Sequence, residues 1–441
     1  MLDEPHSIQD AAFRKVTLRF VPLLFACYVF NYMDRTNIGF AQLQMRADLG
    51  FSAVTYGLGA SIFFVSYSFF ALPSNLLMTR IGARRTIAGC LFLWGLTSAA
   101  TMFVRTPNEF YAARFVLGLV EAGFFPGAIY HITKWFPSNR RSKANGMFQS
   151  ATVIAGVISG LLSGALITYL NGLLALKGWQ WMFLVEGLPS VILAVLVMYY
   201  IDDEPHESKW LTASEKDAVI EAIKNDPGAA PNNYTLGQAL LDWKVYFLGL
   251  IFFFAVIDTY VLAFWQPIMI KELGNMSIMT VGLYSTVPAA AAVVAKIWIG
   301  HHSDKTGDLR WHFTFSAIAG AAGMVLMPLY PHSALWGIAC LTVATAGAHG
   351  CIPIFWSVPG RYLSGAAAAI GIAVISTMGN FSGAVGPAAL GYIKNITGHF
   401  DIGLQILAGL LLLSAALLFV LMRKRNNVGL PSTVASASEL R

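Results

Sequence analysis

The 441-residue chain is 56% hydrophobic and only 12% charged, with a mean hydropathy of +0.61 and a formal net charge of +6. Soluble domains carry about 25% charged residues, so this composition excludes an ordinary water-soluble fold and indicates a polytopic membrane protein. The four cysteines, Cys27, Cys90, Cys340 and Cys351, sit in apolar runs without ligand-like spacing; they read as reduced, buried small hydrophobes, and no metal site is expected.

Residues 1–13 are polar and of mixed charge, which gives no cleavable signal peptide, and the first span is expected to serve as the insertion signal. A span needs about 20 apolar residues. Apolar runs bounded by charge or Pro/Gly turns predict twelve helices, at 16–40, 54–78, 86–104, 108–133, 143–169, 180–201, 243–271, 277–300, 312–331, 333–357, 365–393 and 401–422. The one long polar stretch, 202–242, carries Asp202-Asp203-Glu204-Pro205, a short amphipathic helix from Ser214 to Asn225 and a Pro/Gly/Ala/Asn linker through Tyr234. The expected organisation is a six-helix bundle over 1–201, a cytoplasmic loop over 202–242 and a second six-helix bundle with a cytoplasmic tail over 243–441.

Basic residues sort by side. Arg14, Lys15 and Arg19, Arg80, Arg84 and Arg85, Lys134 and Arg140, Lys305 and Arg310, Arg361, and Arg423, Lys424 and Arg425 fall on one face, and the opposite loops hold only scattered cations. The positive-inside rule makes that face, with both termini, cytoplasmic. The basic balance is thus a topology signal, and nucleic acid is not needed to explain it.

The halves repeat. Thr79 in Asn75-Leu-Leu-Met-Thr-Arg-Ile-Gly82 and Asp304 in Gly300-His-His-Ser-Asp-Lys-Thr-Gly307 are 225 residues apart; Gly156 and Gly379 are 223 apart, Pro126 and Pro353 227. Agreeing offsets indicate two six-helix halves related by parallel duplication. Gly156, Gly160 and Gly164, four apart, and Gly379 and Gly383 let backbones approach closely and mark packing faces between moving elements.

Two spans carry charge. Asn31-Tyr-Met-Asp34-Arg35-Thr-Asn37 lies in the first and Arg114-Phe-Val-Leu-Gly118-Leu-Val-Glu121-Ala-Gly-Phe-Phe-Pro126 in the fourth. An ionisable group at a helix centre costs roughly 2.5–3.5 kcal/mol even on lenient scales, and such residues mark an ion or substrate pathway. The bland alternatives are snorkelling at a helix end and an ion pair that only locks the bundle. Asp34 and Arg35 are about 100° apart around a helix: Arg35 shares a face with Asn31 and Tyr28, and Asp34 turns toward apolar neighbours.

Six plus six helices, a polar central loop and the Gly-x-x-x-Asp-Lys-x-Gly-type loop after helices two and eight resemble the major facilitator superfamily. Within it, Asn31-Tyr-Met-Asp-Arg-Thr-Asn-Ile-Gly-Phe-Ala41, Pro73-Ser-Asn-Leu-Leu, Gly82-Ala-Arg-Arg, Glu121-Ala-Gly-Phe-Phe-Pro-Gly127, Gly178-Trp-Gln-Trp-Met-Phe-Leu-Val-Glu186 and Ile354-Phe-Trp356 are similar to the anion:cation symporter family, which includes bacterial tartrate, sugar-acid and 4-hydroxyphenylacetate permeases. Thr79 departs from the superfamily loop, where Asp is usual, and reads as a weakened gate latch. The resemblance implies an all-α fold of two six-helix bundles and gating loops at Arg80, Gly82, Arg84, Asp304, Lys305 and Gly307. It implies proton carriage by Glu121 and a cavity location for Asp34 and Arg35, and Asp34 is expected to be a second proton carrier.

The expected function is import of a small organic anion by proton symport with alternating access, in the inner membrane, by a monomer without cofactor or metal. Arg35 is expected to bind the substrate carboxylate, with Tyr32, Asn31, Gln149, Trp356 and Asn380 as cavity walls. Asp34 is expected to pair with Arg35 and hold it from substrate until protonated. Arg114, seven residues from Glu121 on one helix face, is expected to tune that carboxylate, and Asp258 is either cavity lining or a helix-bend contact. Glu186 reads as a structural pair, Lys296 as a snorkelling cation, and His301, His302 and His312 show no ligand geometry. A monoanion moving with more than one proton carries net positive charge inward, assisted by about 2.3 kcal/mol per charge per 100 mV. Sodium-coupled or exchange transport and an anion channel remain as alternatives. No Gly-x-x-x-x-Gly-Lys-Ser/Thr motif supports ATP-driven transport, and no His or Cys cluster supports an enzyme.

Overall fold

The computed structural model describes residues 4–226, 242–274, 276–331, 333–359 and 365–423. The linker expected through Tyr234 from residue 227 on, and Arg361, Lys424 and Arg425, lie outside the described residues.

Every predicted span is a helix, and no strand occurs among the described residues. Eleven stretches are long and apolar enough to cross a membrane: Ile8–Leu49, Ala53–Ile81, Ala83–Phe103, Pro107–Trp135, Ser138–Tyr169, Gly178–Tyr200, Trp243–Glu272, Ile278–Thr306, Arg310–Leu329, Ala334–Trp356 and Asp401–Met422. The eleventh of the twelve expected spans is the 33-residue helix Gly365–Thr397. Phe69, Leu72, Ile192 and Trp298 stay exposed on the outer surface, a distribution suited to lipid.

Local chemistry sets the helix ends. Thr106 and Glu109 form a capping box with Pro107 at the first helical position, and Ser52, Ser277 and Ser333 cap three more N-termini. The fourth span breaks between Glu121 and Phe124. Pro126 has no N–H, and its ring crowds the carbonyl four residues back. The fifth span breaks at Ser150, whose hydroxyl donates to the Met147 carbonyl at 2.7 Å. The amphipathic helix of the central stretch runs over Ala213–Lys224. It docks on the first span through Lys15 Nζ and Glu215 Oε1, 2.6 Å apart.

The third span packs on the sixth and the second on the fourth; in the other half the seventh packs on the eleventh and the tenth on the eighth and ninth. Across the halves, the second span meets the eleventh and the fifth meets the eighth. The first span also meets the seventh, and hydrogen bonds join the halves at one end of the bundle, the end bearing the turns near 50–52 and 273–277. There Gln42 Nε2 and the Tyr56 hydroxyl donate to the Phe264 carbonyl at 2.9 and 3.0 Å, and the Ala388 N–H donates to Ser61 Oγ at 3.0 Å. A Cβ on Gly160 would stand 2.7 Å from the Gly282 carbonyl oxygen, so this contact between the fifth and eighth spans requires glycine. Gly383 abuts the Phe64 ring across the halves, whereas Gly379 abuts Phe252 within its own half.

Candidate functional site

The first span brings Arg35 to the C-terminal end of the first segment of the fourth span, where Glu121 is 1% exposed. Arg35 Nε donates to Glu121 Oε1 at 3.1 Å, and Nη2 donates to the same oxygen. Among the described residues, Glu121 Oε2 has no partner. The Arg35 guanidinium lies 5.0 Å from the Tyr67 ring centroid and 5.3 Å from that of Phe63, and the Arg114 guanidinium lies 4.9 Å from the same Phe63 ring. One aromatic side chain of the second span therefore serves two buried cations.

Arg114 is not the ion-pair partner of Glu121. Seven residues separate them by about 10 Å along the axis, and Arg114 Nε instead donates to the Gly59 carbonyl at 3.3 Å. Asp34 likewise does not pair with Arg35. It turns into the first half, where Ser98 Oγ donates to Oδ1 at 2.8 Å, Asn37 Nδ2 approaches the same oxygen at 3.4 Å, and the Trp94 indole also acts on the carboxylate; among the described residues Oδ2 makes no hydrogen bond of normal length. The expectation of apolar neighbours overlooked the Ser98 hydroxyl on the third span. Glu186 is buried in the same half, accepting from Ser163 Oγ at 2.7 Å, so its structural partner is a hydroxyl.

Between the halves lies a cavity of about 110 Å³. The first half contributes Tyr32, Thr36 and Ser159, and the second Thr259, Gln266, Thr345, His349 and Lys296. Lys296 corrects the snorkelling expectation. It shares a helix face with Ala289, Ala292 and Val293, all of which line the cavity. That small-residue stripe was the available signal. Gln266, Thr345 and His349 carried none, because isolated polar residues in an apolar run do not show which face they occupy.

The remaining expected walls scatter. Tyr32 lines the cavity, one turn from Arg35. Asn31 is 1% exposed with both amide atoms unpartnered, outside the lining. Gln149 is exposed at the break of the fifth span. Asn380 Oδ1 accepts from the Tyr260 hydroxyl at 2.8 Å, and Trp356 packs 4.8 Å from Phe252. Asp258 is fully buried with neither oxygen partnered and is not in the cavity lining, although the adjacent Thr259 is.

At the loop after the second span, Gly82 has φ +88° and a Cβ there would meet the Asp203 carboxylate at 2.7 Å. Asp203 Oδ1 accepts from the Arg84 N–H at 2.8 Å. A carboxylate from the end of the sixth span thus supplies the acidic cap that Gly82 cannot, and Thr79 only bonds its own helix at the Leu76 carbonyl. Arg80 is exposed; in the second repeat Gly307 has φ +70°, and Asp304 and Lys305 are exposed without an ion pair among the described residues.

The sequence profile of the Major Facilitator Superfamily matches residues 24–387. The chain belongs to that superfamily. A protein of Agrobacterium vitis named "Putative tartrate transporter" is 40% identical over 419 residues, covering 95% of this chain and 93% of that one. The inner membrane transport protein RhmT of Escherichia coli K12 is 33% identical over 416 residues, covering 94% and 96%. A crystal structure of a bacterial homologue of the human lysosomal transporter Spinster superposes with a TM-score of 0.76 at 17% identity, over 91% of this chain and 96% of that one. This superfamily member is a multi-pass membrane transporter and not an enzyme.

Proposed function

We propose that this protein imports a small organic anion together with protons, by alternating access across the bacterial inner membrane, with the basic face cytoplasmic. The single observation that carries the reading is the Arg35–Glu121 pair: a guanidinium that cannot lose its proton is held by a carboxylate that can accept one. Protonation of Glu121 would break the pair and leave the Arg35 fork for a substrate carboxylate, which it can bind bidentately. Proton binding and anion binding are then coupled through one side chain. The name of the tartrate relative is consistent with a carboxylate substrate.

Asp34 is the second proposed proton site, with one oxygen on Ser98 and the other free to carry a proton. The coupling proposed from its adjacency to Arg35 moves to Glu121, since Glu121 holds the arginine. The halves over 1–201 and 243–441, joined by 202–242, are the proposed rocking bodies, with the fifth and eighth spans meeting at Gly160 and Gly282. The test is uptake of tartrate and sugar acids into proteoliposomes under an imposed pH gradient. Substrate-dependent proton influx supports the reading. Uptake that follows a sodium gradient alone, or a current that never saturates, replaces it with sodium coupling or a channel.

A further inference from the structure

We propose that Lys296 binds a second carboxylate of the substrate, so that the transported species is a hydroxylated dicarboxylate held by Arg35 in the first half and Lys296 in the second. This deepens the anion-transport reading above and rests on it. Lys296 lines the cavity on the face shared with Ala289, Ala292 and Val293. No carboxylate pairs with it among the described residues: of the acidic groups in the second half, Glu272 is taken by Lys394 at 2.7 Å, Asp308 approaches His312 at 3.3 Å, and Asp258, Asp304 and Asp401 do not line the cavity. Lys296 is partly exposed to this cavity, and an unpaired ammonium in such a cavity is a site that an arriving carboxylate neutralises.

The surroundings select the rest of the ligand. His349 Nδ1 lies 3.0 Å from the Thr345 carbonyl oxygen. A carbonyl only accepts, so Nδ1 carries the hydrogen and Nε2 is left as an acceptor. An acceptor nitrogen repels a carboxylate and suits a hydroxyl. Gln266 and Thr345 offer further amide and hydroxyl groups on the same wall. Tyr32 of the first half faces the same cavity, and Arg35, one turn further along and held by Glu121, is outside its lining; once released from Glu121 it would hold the first carboxylate from the half opposite Lys296. A dianion entering with two protons crosses without net charge.

The experiment compares matched ligands on purified full-length protein by calorimetry: L-tartrate against L-threonate, which replaces one carboxylate by a hydroxymethyl group, and malate against 3-hydroxybutyrate. The wild type is expected to prefer the dicarboxylate of each pair by at least about tenfold, the worth of one charge-assisted contact. Lys296→Gln is expected to reduce that preference to near unity, and Lys296→Arg to keep most of it. Arg35→Gln weakens both members of each pair. A wild type that binds monocarboxylates as well as dicarboxylates overturns the Lys296 assignment and leaves the transport reading standing. A preference that persists in Lys296→Gln, with an unchanged melting temperature, does the same. Failure of the wild type to bind any of the four carboxylates sinks the transport reading itself. The wild-type comparison needs no variant to fold.

Discussion

The Glu121 carboxylate takes two hydrogen bonds from the Arg35 guanidinium on a single oxygen, Oε1, and leaves Oε2 unpartnered. One carboxyl oxygen therefore occupies the donors that a substrate carboxylate would need, and the other is available to a proton. Removing the arginine fork and removing the proton acceptor should have different consequences, which is what makes the pair testable.

Arg35→Lys keeps the charge and loses the planar fork, including its stacking on Phe63 and Tyr67. Affinity for the carboxylate is expected to fall at least about tenfold, the scale of a bidentate charge-assisted contact. Titration calorimetry on the detergent-solubilised variant checks this, and wild-type affinity would remove Arg35 from the binding site.

Ser98→Ala deletes the hydroxyl that donates to Asp34 at 2.8 Å and leaves Asp34 with the long Asn37 contact and the Trp94 side chain. Gradient-driven accumulation should decline while substrate exchange across the membrane persists, because exchange does not require a proton to leave. Counterflow and pH-driven uptake measured side by side decide it. Equal losses in both assays would make Asp34 a structural residue.

Asp203→Ala removes the cap that reaches the Arg84 N–H across the Gly82 turn. Loss of such a cap costs about 0.5–2 kcal/mol, so a lower melting temperature is expected, with substrate affinity little changed. Asp203→Asn should recover part of the loss. An unaltered melting temperature in Asp203→Ala would show that the turn is held by other contacts.

Gly160→Val should hinder the approach of the fifth and eighth spans, since even a Cβ there meets the Gly282 carbonyl. Transport is expected to fall more than binding, because the obstruction lies between the two spans and Gly160 itself is outside the cavity lining. Retained full transport would mean that this contact opens little during the cycle.

The helices were legible because a hydrocarbon span leaves a long apolar run. Pairing between spans was not. Arg35 has Asp34 as its sequence neighbour, yet its partner is 86 residues away, because adjacent helical residues point in different directions and only the packing of the first and fourth spans decides which carboxylate it meets. The position of Lys296 toward a helix end suggested the interface, whereas its face points to the cavity; the mid-span position of Asp258 left cavity lining and a helix-bend contact open, and of the two neighbours only Thr259 lines the cavity. Residue type and depth are written in one dimension, and the face presented at the boundary between two halves is not.

The most direct test of the account is the pH dependence of substrate binding in wild type and Glu121→Gln. Under the proposed coupling a proton on Glu121 frees Arg35, so wild-type affinity should rise as pH falls. Glu121→Gln cannot carry the negative charge that holds the arginine, so it should bind at least as tightly as the wild type at neutral pH, with little pH dependence, and it should exchange substrate without accumulating it against a gradient. A variant whose affinity still climbs with acidification as steeply as the wild type contradicts the coupling assigned to the Arg35–Glu121 pair.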